Sequence, residues 1–229
     1  MKQIETMLRL QQELNDTTNG TGWEEGMTKN GKRIDWRRCI WLEAAELVES
    51  YPWKHWKNIT ADPDFANIKI EAVDIWHFVM SEALRQFAVE GRGDIAALAE
   101  TITATDAYRA FEQGEGNVPT DAYAQIAEVE TLVAMLFAGT PVEEWTAQFY
   151  RVALQSGLTL DELYRLYIGK NILNRFRQDH GYKEGTYVKI WSGEEDNVVM
   201  QRILSGNAAM EPEELYDALK EAYPDRRSV

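Results

Sequence analysis

Apolar residues recur at three- and four-residue intervals along most of this chain. Ile4, Met7, Leu8, Leu10 and Leu14 form one stripe over residues 3–15, which predicts an amphipathic helix. The stretch TTNGTGWEEGMTKNGKR then predicts a connection longer than a compact domain normally carries. Helical periodicity returns over 35–50 and stops at Tyr51-Pro52, because proline cannot continue the ladder. After a loop in NITADPDFAN, a long helix is predicted from Ile68 to Glu90, ended by Gly91-Arg92-Gly93. Helices near 94–113 and 119–138 follow, separated by the breaker GEGNVP.

Two later starts are written in capping residues. Thr140-Pro141-Val142-Glu143 predicts an N-cap, a proline at the first helical position and a capping box. Thr159-Leu160-Asp161-Glu162 predicts a second box, opening a helix that runs to about His180 and stops at Gly181. Residues 181–199 break the pattern with glycines and a β-leaning run from Tyr187 to Trp191, and are expected to act as a lid over a ligand. Short helices near 196–204 and 212–222 close the chain. The expectation is an all-α fold, one domain over 1–229, built as a helical bundle of about eight or nine helices.

Composition narrows the function classes. The 229 residues carry 38 Asp and Glu against 24 Lys and Arg, a formal charge of −14, which argues against broad electrostatic binding to nucleic acid. No apolar run approaches the roughly 20 residues needed to span a bilayer, so no membrane partner is expected. One cysteine, Cys39, leaves no intramolecular disulfide and no multi-cysteine zinc site. The N-terminal MKQIETMLRL lacks a continuous apolar stretch, and a cytoplasmic location is expected.

The pairs Glu46/Glu49 and Glu71/Asp74 stand out from the scattered acids. Each has i, i+3 spacing, about 60° apart on one helix face, with no Lys or Arg at i±3 or i±4 to offset it. Asp74 lies among Ile75, Trp76, Phe78 and Val79, where a carboxylate is costly to desolvate unless paired or bound to a cation. If the two helices pack antiparallel, four carboxylates converge into an all-oxygen set suited to Mg²⁺ or Mn²⁺. Glu43 lies one step back on the Glu46 face and is an outer-shell candidate. The bland reading is a pair of solvated faces. A di-iron bundle is disfavoured, because such sites require Glu-x-x-His on two helices and only His77, three residues after Asp74, comes near that pattern.

Residues 170–189 are the basic exception, with five Lys or Arg in twenty positions. Lys170, Asn174 and Arg177 share a helix face and present cationic and amide donors suited to phosphates and base edges. Favourable placement of cations at a helix C-terminus explains part of this, but not Asn171 and Asn174, which are poor helix formers. On the first helix, Gln12 and Asn15 at i, i+3 pair two amides that can read a nucleobase edge; Asn15 equally suits a helix end.

Taken together, these elements resemble the dimeric dUTPases, the all-α NTP pyrophosphatases of some bacteria, phages and kinetoplastids, with MazG-like proteins as wider relatives. The resemblance runs in order through Q-x-L-N at Gln12 to Asn15, E-x-x-E at Glu46 to Glu49, and E-x-x-D-x-x-x-F at Glu71 to Phe78. It continues through K-N-x-x-N-x-x-R at Lys170 to Arg177 and G-Y-K-x-G-x-Y-x-K at Gly181 to Lys189. It implies hydrolysis of dUTP to dUMP and pyrophosphate, commonly also of dUDP, by a homodimer holding two or three Mg²⁺ ions per site, with Mn²⁺ as a substitute. Carried over by position, Glu46, Glu49, Glu71 and Asp74 would ligate the metals, with Glu46 or Glu49 orienting or deprotonating the attacking water. Lys170, Arg177, Lys183 and Lys189 would neutralise the phosphates. Gln12, Asn15, Phe78 and Asn174 would form the base and deoxyribose pocket, walled by Asn171 and by Trp56 or Trp53. The alternatives are another house-cleaning dNTP pyrophosphatase of the same fold, or a non-catalytic helical interaction module.

Overall fold

The computed structural model describes residues 1–57, 60–207 and 210–224. Among these residues the chain forms ten α-helices and almost no sheet: α1 (Lys2–Asn19), α2 (Trp36–Glu49), α3 (Phe65–Val89), α4 (Ile95–Thr103), α5 (Asp106–Gln113), α6 (Ala122–Ala138), α7 (Val142–Gln155), α8 (Leu160–Asp179), α9 (Asp196–Gly206) and α10 (Pro212–Ala222). The fold is therefore all-α, as the periodicity implied. Two strands of two residues each, β1 (Ile190–Trp191) and β2 (Glu194–Glu195), pair antiparallel within the β-leaning stretch.

The tenth helix arises because the predicted helix over 94–113 is two helices. Thr105 takes an extended backbone, and its side chain accepts from the Tyr108 N–H at 3.1 Å, restarting the chain as α5. Threonine hydroxyls compete with a continuous helix through such local bonds. The box expected at Thr140 also does not form. Pro141 is itself the N-cap, still extended at φ −57 and ψ 150. Thr140 instead turns back, its hydroxyl donating to the Met135 carbonyl at the end of α6. The box at Thr159 does form: the Glu162 N–H donates to the Thr159 hydroxyl and the Thr159 N–H to the Glu162 carboxylate, each at 3.1 Å. Gly181 follows α8 at φ +87, where a Cβ would be strained.

Two compact units divide the chain, Met1–Tyr164 and Arg165–Val229, with α8 beginning in the first and continuing in the second. In the first unit α3 is central. Fifteen of its 25 residues are buried, far more than one amphipathic stripe supplies, so it is packed from several sides. Trp76 stacks on Phe149 of α7 with ring centres 4.7 Å apart, and its indole N–H meets the Met7 sulfur of α1 at 3.4 Å. In the second unit Leu173, Phe176, Trp191, Met200 and Leu219 form a separate small core.

The Gly/Asn-rich insert is not a loose loop. α1 runs on to Asn19, and a 3₁₀ turn at Trp23–Glu25 returns the chain. Trp23 is fully buried, its edge against Trp36 at 5.7 Å and its N–H on Asp16 at 3.1 Å. Trp23→Ala is expected to destabilise the first unit by about 3–5 kcal/mol, the usual cost of truncating a buried tryptophan. Chemical denaturation checks this, and a loss below about 1 kcal/mol would show the insert is not anchored there.

Candidate active site

α2 and α3 form a helical hairpin whose ends are fixed by specific contacts. Trp36 at the start of α2 stacks on Phe78 late in α3, with centres 6.0 Å apart. Ser50, which ends α2, accepts the Asp64 N–H at 2.9 Å, and its hydroxyl receives the Asn67 amide at 2.9 Å. Early residues of α2 thus face late residues of α3, and the pair is antiparallel. α2 turns Ile40, Ala44 and Leu47 into the core.

This pairing gathers three carboxylates. Glu43, Glu46 and Glu71 each offer an oxygen, all within 4.8 Å of one another. Glu71 is buried, Glu43 half-buried and Glu46 exposed, so the cluster opens to solvent on its α2 side. Asp74 is half-buried one turn beyond Glu71 on α3. Glu49 is not in the cluster. It lies one turn past Glu46, exposed, and forms an ion pair with Lys54. The i, i+3 pair that joins Glu71 is therefore Glu43 and Glu46. The signal was present in the sequence, since Glu43 is spaced three and four residues from Ile40 and Leu47, whereas Glu49 falls off that stripe.

A cavity of about 360 Å³ adjoins the cluster, lined by Glu46, Glu49, Lys54, Lys57, Asp64 and Asn67 among others. Lys54 and Lys57 are cations that the sequence reading did not single out. Trp56 is exposed, with its ring edge-on to Trp53 at 5.7 Å and to His55 at 4.9 Å.

The amides of α1 divide between two faces. Gln12 is half-buried and donates to Glu24 at 2.8 Å and Asp16 at 3.2 Å. Asn15 is buried and donates to the Ser81 hydroxyl of α3 at 3.0 Å. Gln11, which the sequence reading passed over, is buried beside it and links Asn15, Ser81 and His77. Phe78 is half-buried on α3.

The basic block lies in the second unit, where most of it is committed to partners. Arg177 makes a two-pronged ion pair with Asp196, both bonds at 2.8 Å, and also donates to Asn174 at 3.2 Å. Lys170 is buried and donates to Asn197 at 3.1 Å. Asn171 is buried and donates to the Tyr167 hydroxyl. Lys189 pairs with Glu195 at 3.3 Å, and Lys183 is exposed. Asp196 is fully buried and was invisible to the sequence reading, because its partner is 19 residues away. Burial opposes its ionisation, but bonds from Arg177 and Tyr187 outweigh that and hold the carboxyl below the ordinary range.

Compared with known proteins, the chain matches the family described as dUTPase over residues 3–182, most of its length. No curated protein matches it. The matched span covers Glu43, Glu46, Glu49, Glu71 and Asp74, the α1 amides and the Lys170 to Arg177 block.

Asp196 stabilises the second unit only while it is ionised in the fold. A depressed folded pKa stabilises above the unfolded value, about 4, and that contribution is lost as pH falls through the folded value. Asp196→Asn should cost about 3 kcal/mol near neutrality by leaving Arg177 buried and unpaired. It should also flatten the acid side of the stability profile. Denaturant melts of both forms between about pH 3 and 7 check both effects, and parallel profiles would count against this role for the pair.

Proposed function

The chain belongs to the all-α dUTPase family and is a dUTP diphosphatase. On that premise we propose that it hydrolyses dUTP to dUMP and pyrophosphate, and dUDP to dUMP and phosphate, with Mg²⁺ as cofactor. The observation that carries the metal reading is the cluster of Glu43, Glu46 and Glu71. Its donor set fits a hard divalent ion: every ligand is a carboxylate oxygen, one is buried, and three like charges so close favour a cation between them. We assign the ligands as Glu43, Glu46 and Glu71, with Asp74 completing the α3 edge. Glu43 enters this proposed set, and Glu49, on the wall of the adjoining cavity, is proposed to stand outside it. When bound, the ion polarises phosphoryl oxygens and makes a bound water more acidic.

The protein's own groups then orient and accept. Glu46, the exposed member, is proposed to take a proton from the attacking water. The new bond forms between water oxygen and α-phosphorus, and the bond from the α-phosphorus to the bridging oxygen breaks, releasing pyrophosphate. Lys170, Arg177, Lys183 and Lys189 are proposed to bind phosphate oxygens; Arg177 and Lys189 would exchange an internal carboxylate for the substrate. Asn15, Phe78 and Asn174, with Gln12, Asn171 and Trp56, are proposed for the base and sugar. The family resemblance also leads us to propose a homodimer. The exposed Trp41 and Leu42 of α2 and Tyr123 and Phe137 of α6 are apolar surface that a second copy would cover.

Pyrophosphate release should be fastest from dUTP among dUTP, dTTP, dCTP and UTP, and should vanish with a chelator. Equal rates on all four would overturn the dUTP assignment. Glu43→Gln and Glu71→Gln should each lower turnover more than about hundredfold, and Glu49→Gln less than about tenfold. The reverse order for Glu43 and Glu49 would restore Glu49 to the ligand set. Sedimentation should give twice the 26.3 kDa chain mass, and Phe137→Glu should shift it toward a single chain.

A further inference from the structure

Four polar side chains are buried together between α1 and α3: Gln11 and Asn15 at 3% exposure, Ser81 at 0% and His77 at 4%. Their hydrogen bonds run in one direction only. The Ser81 hydroxyl lies 2.9 Å from the backbone carbonyl of His77, one turn earlier. A carbonyl can only accept, so the single hydroxyl proton goes there rather than to the Asn15 oxygen at 3.5 Å. The Ser81 oxygen is then an acceptor towards its other neighbours. It receives the Asn15 amide N–H at 3.0 Å and the Gln11 amide N–H at 3.1 Å.

That fixes which way both amides point. With its nitrogen on Ser81, Gln11 directs its second N–H to the Asn15 oxygen at 3.2 Å and turns its own oxygen to His77 Nδ1 at 2.9 Å. The imidazole nitrogen facing that oxygen must carry a hydrogen. Flipping the Asn15 amide would set its oxygen against the Ser81 oxygen and its NH₂ against the Gln11 NH₂. A flipped Asn15 would break two buried bonds at once, a heavy penalty where water cannot replace them.

We propose that Ser81, Gln11 and His77 are positioning residues that fix the polarity of the Asn15 amide, and that this polarity sets the preference for uracil over cytosine. The proposal rests on the reading of Asn15 as a base contact. One Asn15 N–H is consumed by Ser81, and the remaining N–H is a donor whose orientation the network holds. A fixed donor suits the O4 carbonyl of uracil and opposes the 4-amino group of cytosine, which is also a donor. An asparagine free to flip would serve either base equally well. Discrimination would then rest on a side chain that cannot adapt, so that the wrong base leaves donors facing each other without an acceptor.

The test compares kcat/KM for dUTP and dCTP in the full-length protein and in Ser81→Ala and Gln11→Leu. Each variant frees Asn15 by a different deletion, so one that fails to fold leaves the other. The dUTP over dCTP preference is expected to fall about tenfold, the worth of one hydrogen bond. The change should appear chiefly in KM, with kcat for dUTP within about threefold of the parent. A merely structural role would lower both nucleotides together, and an unchanged ratio of preferences would overturn the proposal. Asn15→Ala separates the two layers of the argument. Lost preference in Asn15→Ala but retained preference in Ser81→Ala and Gln11→Leu would overturn the positioning role alone. Retained preference in Asn15→Ala would overturn the base-contact reading and the positioning role with it.

Discussion

Three carboxylates with oxygens inside 4.8 Å repel one another, and the rest of the first unit has to hold them there. Each like-charge pair at such a separation costs on the order of a few kcal/mol at a protein's effective dielectric, less where Glu46 meets water. The α2–α3 hairpin supplies the restraint. Its two ends are tied by Trp36 against Phe78 and by Ser50 to Asp64 and Asn67. Its interior is packed through α3 against α1 and α7 by Trp76. Apolar burial spread over the whole unit therefore offsets a local electrostatic cost, and the same cost is what a divalent cation removes.

Much of this was legible from period and spacing. The long apolar helix, its antiparallel partner and the family motifs follow from residue types at fixed intervals. Which of Glu46's two neighbours packs beside Glu71 did not follow from pair spacing, for a definite reason. Glu43, Glu46 and Glu49 are evenly spaced, so Glu46 has an i±3 companion on either side and pair spacing alone cannot choose. The choice is made by the Ile40, Ala44 and Leu47 stripe, which turns Glu43 toward α3 and Glu49 toward Lys54. Threonine overrode the sequence pattern twice: at Thr105 its hydroxyl breaks a helix that reads as continuous, and at Thr140 it bonds back to α6 instead of capping α7.

Contacts between residues far apart in sequence were the least legible. Arg177 reads as a phosphate ligand from its neighbours Lys170 and Asn174, yet it is held by Asp196 from the start of α9. Gln11 reads as one more polar residue on α1, and Ser81 as a small residue on α3, until the two helices meet. In both cases a buried group needed a partner, and the fold supplied it from a distant segment.

The loop between α2 and α3 leaves and rejoins the hairpin at almost one point, because Ser50 at its start binds Asp64 and Asn67 at its far end. Trp53, His55, Trp56 and two lysines lie along that loop, beyond a joint that is already closed. Insertions or replacements there need not shift the carboxylates, since closing a somewhat longer loop costs little once its ends are pinned. The hairpin thus uncouples the registration of the acids from the length and make-up of the cavity wall beside them.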